Sequence, residues 1–203
     1  MSRLLERSLN LGHPAPVTTL SMERVDEGRL TRIVGQHFEV LWRFLRRLGI
    51  PEADVDDAIQ EVILVLARKL NQVQPESERS FVLSTAFRVA SGFRRSSRRR
   101  REVDDAGLAE LPSPELSPEA MAERQRLRIV LQSVLDALPL DLRAVFVLYE
   151  LEELTMADIA TTLKLPPGTV ASRLRRARET FEEMATIAMR REESAADEGG
   201  QRR

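Results

Sequence analysis

The segment from Thr155 to Arg178, TMADIATTLKLPPGTVASRLRRAR, constrains this chain more tightly than any other. Its apolar residues recur at helical spacing on either side of a Lys-Leu-Pro-Pro break, which reads as two short amphipathic helices joined by a tight turn. Ile159, Leu163, Leu165, Val170, Leu174, Ala177 and Phe181 fit the seam between crossing helices, with Ala160 small where the backbones approach. Thr169, Ser172, Arg173 and Arg176 project from the second helix about one turn apart, flanked by Arg175 and Arg178. Arginine can pair bidentately with guanine, while serine and threonine bond bases or phosphates. A helical hairpin with a merely solvated basic face is the plain alternative. The coincidence of small residue, turn, apolar seam and basic face favours a helix built to lie in a DNA major groove.

The rest of the chain is helical in character. Charged residues make up 31% and aromatics only 4% of 203 residues, a balance that favours helices over sheets. Apolar positions Ile33, Val34, Phe38, Leu41, Trp42, Leu45 and Leu48 predict a helix over 29–48, ended by Gly49 and Pro51. Val55, Ile59, Val62, Ile63, Leu66 and Leu70 predict a second over 54–70. After a polar loop, 71–80, a third helix is expected over 80–101, with Phe81, Thr85, Val89 and Phe93 inward. Pro112 and Pro114 interrupt the acidic stretch 102–117, which reads as a linker. Ser117-Pro118-Glu119 opens a helix to about Ala137, and Leu138-Pro139 starts another to about Leu151. The expected fold class is therefore all-α: two small helical domains, 27–101 and 118–189, joined by a flexible acidic linker. Residues 1–26 and 190–203 are expected to be a flexible arm and a disordered tail.

Net charge is only −1, but it is unevenly spread. Residues 94–101 carry six arginines in eight positions, whereas 102–123 hold seven acids and no base. A helix C-terminus favours some cations. Six arginines exceed that need, and phosphate is the natural counter-charge. On the second helix, Asp57, Gln60, Glu61 and Leu64 fall on one face, with Asp56 beside them, opposite the apolar core positions. Acceptors around an apolar spot suit a basic helical partner, and a solvated acidic face is the alternative.

Two stretches now resemble a known family. Residues 138–181 are similar to the C-terminal, region-four domain of bacterial sigma factors of the extracytoplasmic-function group. The likeness rests on Leu138-Pro139, Arg143, Phe146, Leu148, Glu152, Leu154-Thr155, Ile159-Ala160, Gly168-Thr169-Val170, Ser172-Arg173-Leu174 and Arg176-Ala177-Arg178. Response-regulator output domains share the Thr-Val pair but usually continue into His and Lys-Leu. DVDDAIQEVILVLARKL resembles the region-two helix by which sigma factors grip RNA polymerase. The chain departs from the family at Lys164, where a turn glycine is usual, and near Thr85 and Gly92, where Trp and Asn are usual. A left-handed lysine costs about 1 kcal/mol, so the turn is expected to be reshaped.

The resemblance implies a protein that binds core polymerase at its clamp helices and flap, reads the upstream and downstream promoter elements, and assists melting. Docking then falls to Asp56, Asp57, Gln60, Glu61 and Leu64. Upstream reading falls to Thr169, Ser172, Arg173, Arg175, Arg176 and Arg178. The downstream element and backbone fall to loop 71–80, Phe81, Arg88, Arg94, Arg95 and Arg98, with Phe81 equally fit for the core. An anti-sigma partner is compatible with the resemblance, and the linker would lie in the transcript's path. A stand-alone DNA-binding regulator and a sigma-like decoy are the two rival readings. No metal, cofactor or catalysis is expected: the chain has no Cys, and His13 and His37 stand outside any ligand cluster. The N-terminus lacks a signal-peptide core and no apolar run is long enough for membrane insertion, so a cytoplasmic location is expected.

Overall fold

The computed structural model describes residues 17–97 and 118–200. All seven α-helices among them follow apolar stripes in the sequence. The N-terminal domain packs α1 (Val17–Arg47), α2 (Glu52–Lys69) and α3 (Glu78–Ser97) around one core. Phe44, Leu45 and Leu48 from α1 meet Val55, Ala58, Val62 and Leu66 from α2 and Val82, Leu83, Ala86 and Ala90 from α3. The stripes on α2 and α3 fall as the sequence requires. On α1 the inward face is turned slightly: Phe44 is fully buried, whereas Phe38, expected inward, is 44% exposed. The helix also begins at Val17, earlier than the expected start at Arg29, so the proposed arm includes two to three turns of helix.

Between α2 and α3 the chain makes two short 3₁₀ turns, Leu70–Gln72 and Pro75–Ser77. A buried acid holds this loop against α1. Glu78 accepts hydrogen bonds from Arg29 Nε (3.1 Å) and Nη2 (2.9 Å) and from Arg32 Nη2 (2.9 Å), and its side chain is only 6% exposed. Arg29 also donates to the carbonyls of Leu70 and Val73. Burial alone would raise the Glu78 carboxyl, but the Arg32 and Arg29 guanidinium groups outweigh it and hold it below the usual glutamate range. Glu78 therefore contributes stability that is complete above its unfolded pKa and disappears as pH falls through its lower folded one. Urea midpoints of the wild type should drop across that acid interval more steeply than those of Glu78→Gln. Parallel pH profiles for the two would exclude the brace as a stability element.

The C-terminal domain comprises α4 (Pro118–Ala137), α5 (Leu140–Phe146), α6 (Met156–Leu163) and α7 (Pro167–Gly200). Here α5 does not run to Leu151 as a single α-helix: it passes into a π-helical turn, Val147–Leu151, followed by Glu153 at φ 55°. Val145, Val147 and Leu148 are fully buried, and Phe146 stacks on Phe181 of α7 at 4.5 Å. Helix α7 continues to Gly200, past the expected domain limit near Met189 and into the stretch expected to be disordered.

The two domains touch. Helix α3 lies against α6, where Thr162 Oγ1 and Ser80 Oγ are 3.2 Å apart. Arg43 and Arg47 of α1 reach Glu152, and Gly49, at φ 89°, abuts Arg143; a Cβ at Gly49 would come within 2.7 Å of Arg143 Nη1. Only glycine satisfies both that dihedral and that approach. No helix among the described residues is long and apolar enough to cross a membrane.

Candidate nucleic-acid and polymerase interfaces

The helix pair is fixed at its start by a capping box. Thr155 Oγ1 accepts from Asp158 N at 3.2 Å, and the Asp158 carboxylate accepts from Thr155 N at 3.3 Å. Helix α6 ends on Lys164, which itself takes the left-handed conformation at φ 54°, ψ 48°. The turn is thus kept in form, contrary to the expected reshaping. Leu165 N bonds Ala160 O at 2.9 Å, closing the helix end, and Pro167 opens α7 where no amide donor is needed. Ile159, Val170, Leu174 and Ala177 are buried in the seam, with Leu163, Leu165 and Phe181 packed at its margin.

That packing fixes which arginines face outward. Ser172, Arg175 and Arg176 are exposed along the centre of the outer face of α7. Thr169 and Arg173 are half-buried at one edge, and Arg173 lies 3.5 Å from Asp141. Arg178 stands at the opposite edge, about 140° around the helix from Arg173. It donates through Nε to Glu150 at 2.6 Å and lies over the Tyr149 ring at 5.2 Å. The bond to Glu150 raises its pKa further, so it is a fixed cation. Tyr149 and Glu150 come from the π-helical turn, so Arg178 ties α7 to that turn. Arg175 pairs with Glu179 at 2.7 Å within the helix. The sequence grouped the first four of the candidates on one stripe; in the structure Arg176 and Ser172 hold its centre and Arg173 its rim.

On α2, Asp57, Gln60, Glu61 and Leu64 are all exposed within one sector, with Asp56 exposed at its margin. Leu64 is 55% exposed among acceptors, while Val55, Ala58, Ile59, Val62 and Leu66 fill the opposite side. The third group is less uniform. Phe81 is half-buried against the core, whereas Arg88 is exposed and bonds Thr85 Oγ1 at 3.0 Å. Arg94 and Arg95 fall in the final turns of α3, with side chains outside the described ones, and Arg98 lies outside the described residues. Loop 71–77 is exposed except at Val73.

Sequence reading missed Glu78 and Arg29 and named Arg143 and Glu152 only as positions of the family likeness, without a role; the partners of all four lie in other helices and follow no local period. Glu152 is the most telling: its side chain is 2% exposed and belongs to the C-terminal domain, yet its ion-pair partners belong to the other. No group of three or more His, Cys, Asp or Glu placed to hold a metal occurs among the described residues.

A helix-turn-helix with this basic outer face, in a structure helical throughout its described elements, has the geometry of a DNA-binding module. Residues 128–181 match the family model "Sigma-70, region 4". The chain is 31% identical over 148 residues to the ECF RNA polymerase sigma factor SigE of Mycolicibacterium smegmatis, covering 72% of this chain and 58% of that protein. It is 28% identical over 151 residues to the ECF RNA polymerase sigma-E factor of Escherichia coli, covering 70% of this chain and 79% of that one. Its fold is shared with CnrH, solved in complex with the cytosolic domain of CnrY, at a TM-score of 0.60 and 21% identity over 83% of this chain and 94% of that one. A second solved relative is the sigma factor RpoE of Bartonella quintana in complex with the anti-sigma factor NepR, at a TM-score of 0.58 and 19% identity over 77% and 96% of the two chains. Residues 128–181 thus carry a sigma-70 region 4 module, and over most of its length the chain is similar to sigma factors of the extracytoplasmic-function group.

Proposed function

We propose that this chain binds core RNA polymerase and directs it to promoters by reading an upstream (−35) and a downstream (−10) element. The observation that carries the proposal is the pairing of two exposed faces: the acidic α2 face around an exposed Leu64, and the basic face of α7 opposite a packed seam. The α2 face, Asp56, Asp57, Gln60, Glu61 and Leu64, docks on the polymerase clamp, and the C-terminal domain on its flap. Ser172, Arg175 and Arg176 enter the upstream major groove, with Thr169 and Arg173 at the rim. Loop 71–80, Phe81, Arg88 and the arginines 94, 95 and 98 hold the downstream strand, so melting draws on binding exposed bases and phosphates. The linker 102–117 separates the domains 27–101 and 118–189. An anti-sigma protein is a further partner, supported by the likeness in fold to the sigma factor RpoE, which was solved in complex with the anti-sigma factor NepR. The protein works in the cytoplasm, where polymerase is found, and acts by binding, without catalysis of its own.

The edges of the recognition face separate base reading from positioning. Arg176→Ala should weaken binding to the upstream element roughly 10- to 100-fold and flatten the preference between cognate and scrambled duplexes. Arg178→Ala should cost less than fivefold on both duplexes, because Glu150 and Tyr149 already hold its guanidinium. Mobility-shift titrations of the full chain measure both. Equal losses on all duplexes from Arg176→Ala would remove it from base reading.

A further inference from the structure

Glu152 sits where no isolated domain would place it. Its carboxylate bonds Arg47 Nη1 at 2.7 Å and Arg43 Nη2 at 3.3 Å, while its carbonyl oxygen accepts from Arg79 Nη2 at 3.2 Å. All three arginines belong to the N-terminal domain. The backbone is deformed to deliver this residue: Glu152 N bonds Val147 O at 3.0 Å in the π-helical register, and Glu153 follows at φ 55°. Such π turns and left-handed non-glycine residues are tolerated where the surroundings use them. Burial pushes the Arg47 guanidinium down, which is the cost of drawing a cation out of water, and Glu152 opposes that shift.

Two guanidinium groups on the Glu152 carboxylate, with a third on the backbone carbonyl of the same residue, are a ready anion site, already filled. Arg79 and its neighbour Ser80, which contacts Thr162, end the loop assigned above to the downstream strand. A strand entering that loop must compete with the C-terminal domain for both residues. We propose that Arg43, Arg47 and Arg79 form a binding site for a phosphate of the promoter strand, which Glu152 occupies when the two domains are closed on each other. This rests on the reading of loop 71–80 as the downstream-strand site. The closed form is then a self-shielded state: loading the strand and separating the domains are one event. Ligand and carboxylate exclude one another, so whatever opens the domains uncovers the site.

The chain has no cysteine, so Ala67→Cys and Glu183→Cys, both exposed and one in each domain, give two unique dye positions. Energy transfer between them in the full chain should be high for the wild type and fall in Glu152→Gln. A random-sequence 12-nucleotide single strand should bind Glu152→Gln roughly tenfold more tightly than the wild type. Adding Arg43→Gln and Arg47→Gln should cancel that gain and flatten the salt dependence by about 0.7, the value for one phosphate contact on a single strand. Reversing the pair, Glu152→Arg with Arg43→Glu and Arg47→Glu, should restore high transfer, which a merely damaged fold would not do. Unchanged transfer in Glu152→Gln would overturn the clasp; opening without tighter strand binding would overturn the phosphate site. Loss of transfer on adding inorganic phosphate at equal phosphate concentration would overturn the assignment to a strand. These readouts need no polymerase, so failure of promoter-directed transcription with the clasp intact would count against the proposed function alone.

Discussion

Asp57→Arg with Glu61→Arg should abolish assembly with core polymerase while leaving the chain folded and able to bind duplex DNA. Both carboxylates stand on the exposed face of α2, one turn apart beside Leu64, and the helix's core residues lie on the opposite side. The substitutions move the face from two negative charges to two positive ones. Against a basic helical partner, like charges in juxtaposition cost several kcal/mol, or at least about a hundredfold in affinity. Because the core is untouched, circular dichroism and thermal unfolding should change little. Co-elution with core polymerase on size exclusion measures the loss, and mobility shifts measure the retained DNA binding. Co-elution at wild-type levels would move the docking surface elsewhere.

The second large effect is expected at Arg143, whose side chain is completely buried. Its guanidinium bonds Asp136 at 2.5 Å and the Leu138 carbonyl at 3.2 Å, tying the end of α4 to α5, and it faces Gly49 across the domain boundary. Arg143→Ala removes these bonds and leaves a cavity, a loss of about 2–4 kcal/mol from the unfilled volume and the unpaired Leu138 carbonyl. Domains of this size are stable by only about 5–15 kcal/mol. Urea unfolding should therefore show a weakened C-terminal transition and, with it, loss of upstream-element binding. Arg143→Lys should not restore it, since a lysine lacks the fork that reaches both partners. Arg143→Met should lose less than Arg143→Ala, because it refills the volume and Asp136 is half exposed to water. Equal stability of all three variants and the wild type would show that the buried fork is not structural.

Much of this architecture is legible in the sequence because it is written in local periods. The α2 stripe and the seam of α6 and α7 depend on residues three to four apart, and the Pro118 start of α4 on adjacent ones. The same logic placed Asp57, Gln60, Glu61 and Leu64 on one exposed face. Where the sequence misled, the cause was long-range. Phe38 and Phe44 both lie near the apolar stripe of α1, and only the crossing with α2 and α3 decides that Phe44 goes inside. Helical spacing put Arg173 on the outward stripe and Arg178 beside it, but did not show that Asp141 and Glu150, earlier in the chain, pair with them. Lys164 carries a glycine's backbone because the helix-end hydrogen bond and the seam on both sides outweigh about 1 kcal/mol of strain. Glu78 had no local signal and Glu152 only its place in the family likeness, since an isolated glutamate in a helical chain reads as surface.

The most direct test of promoter-directed function is run-off transcription with purified core polymerase and this chain on fragmented genomic DNA. The expected result is a small set of discrete transcripts that need the wild-type chain, and that vanish with Asp57→Arg/Glu61→Arg and with Arg176→Ala. Transcripts that are the same with and without the chain, although it co-elutes with polymerase, would contradict it and leave a protein that occupies polymerase without choosing promoters.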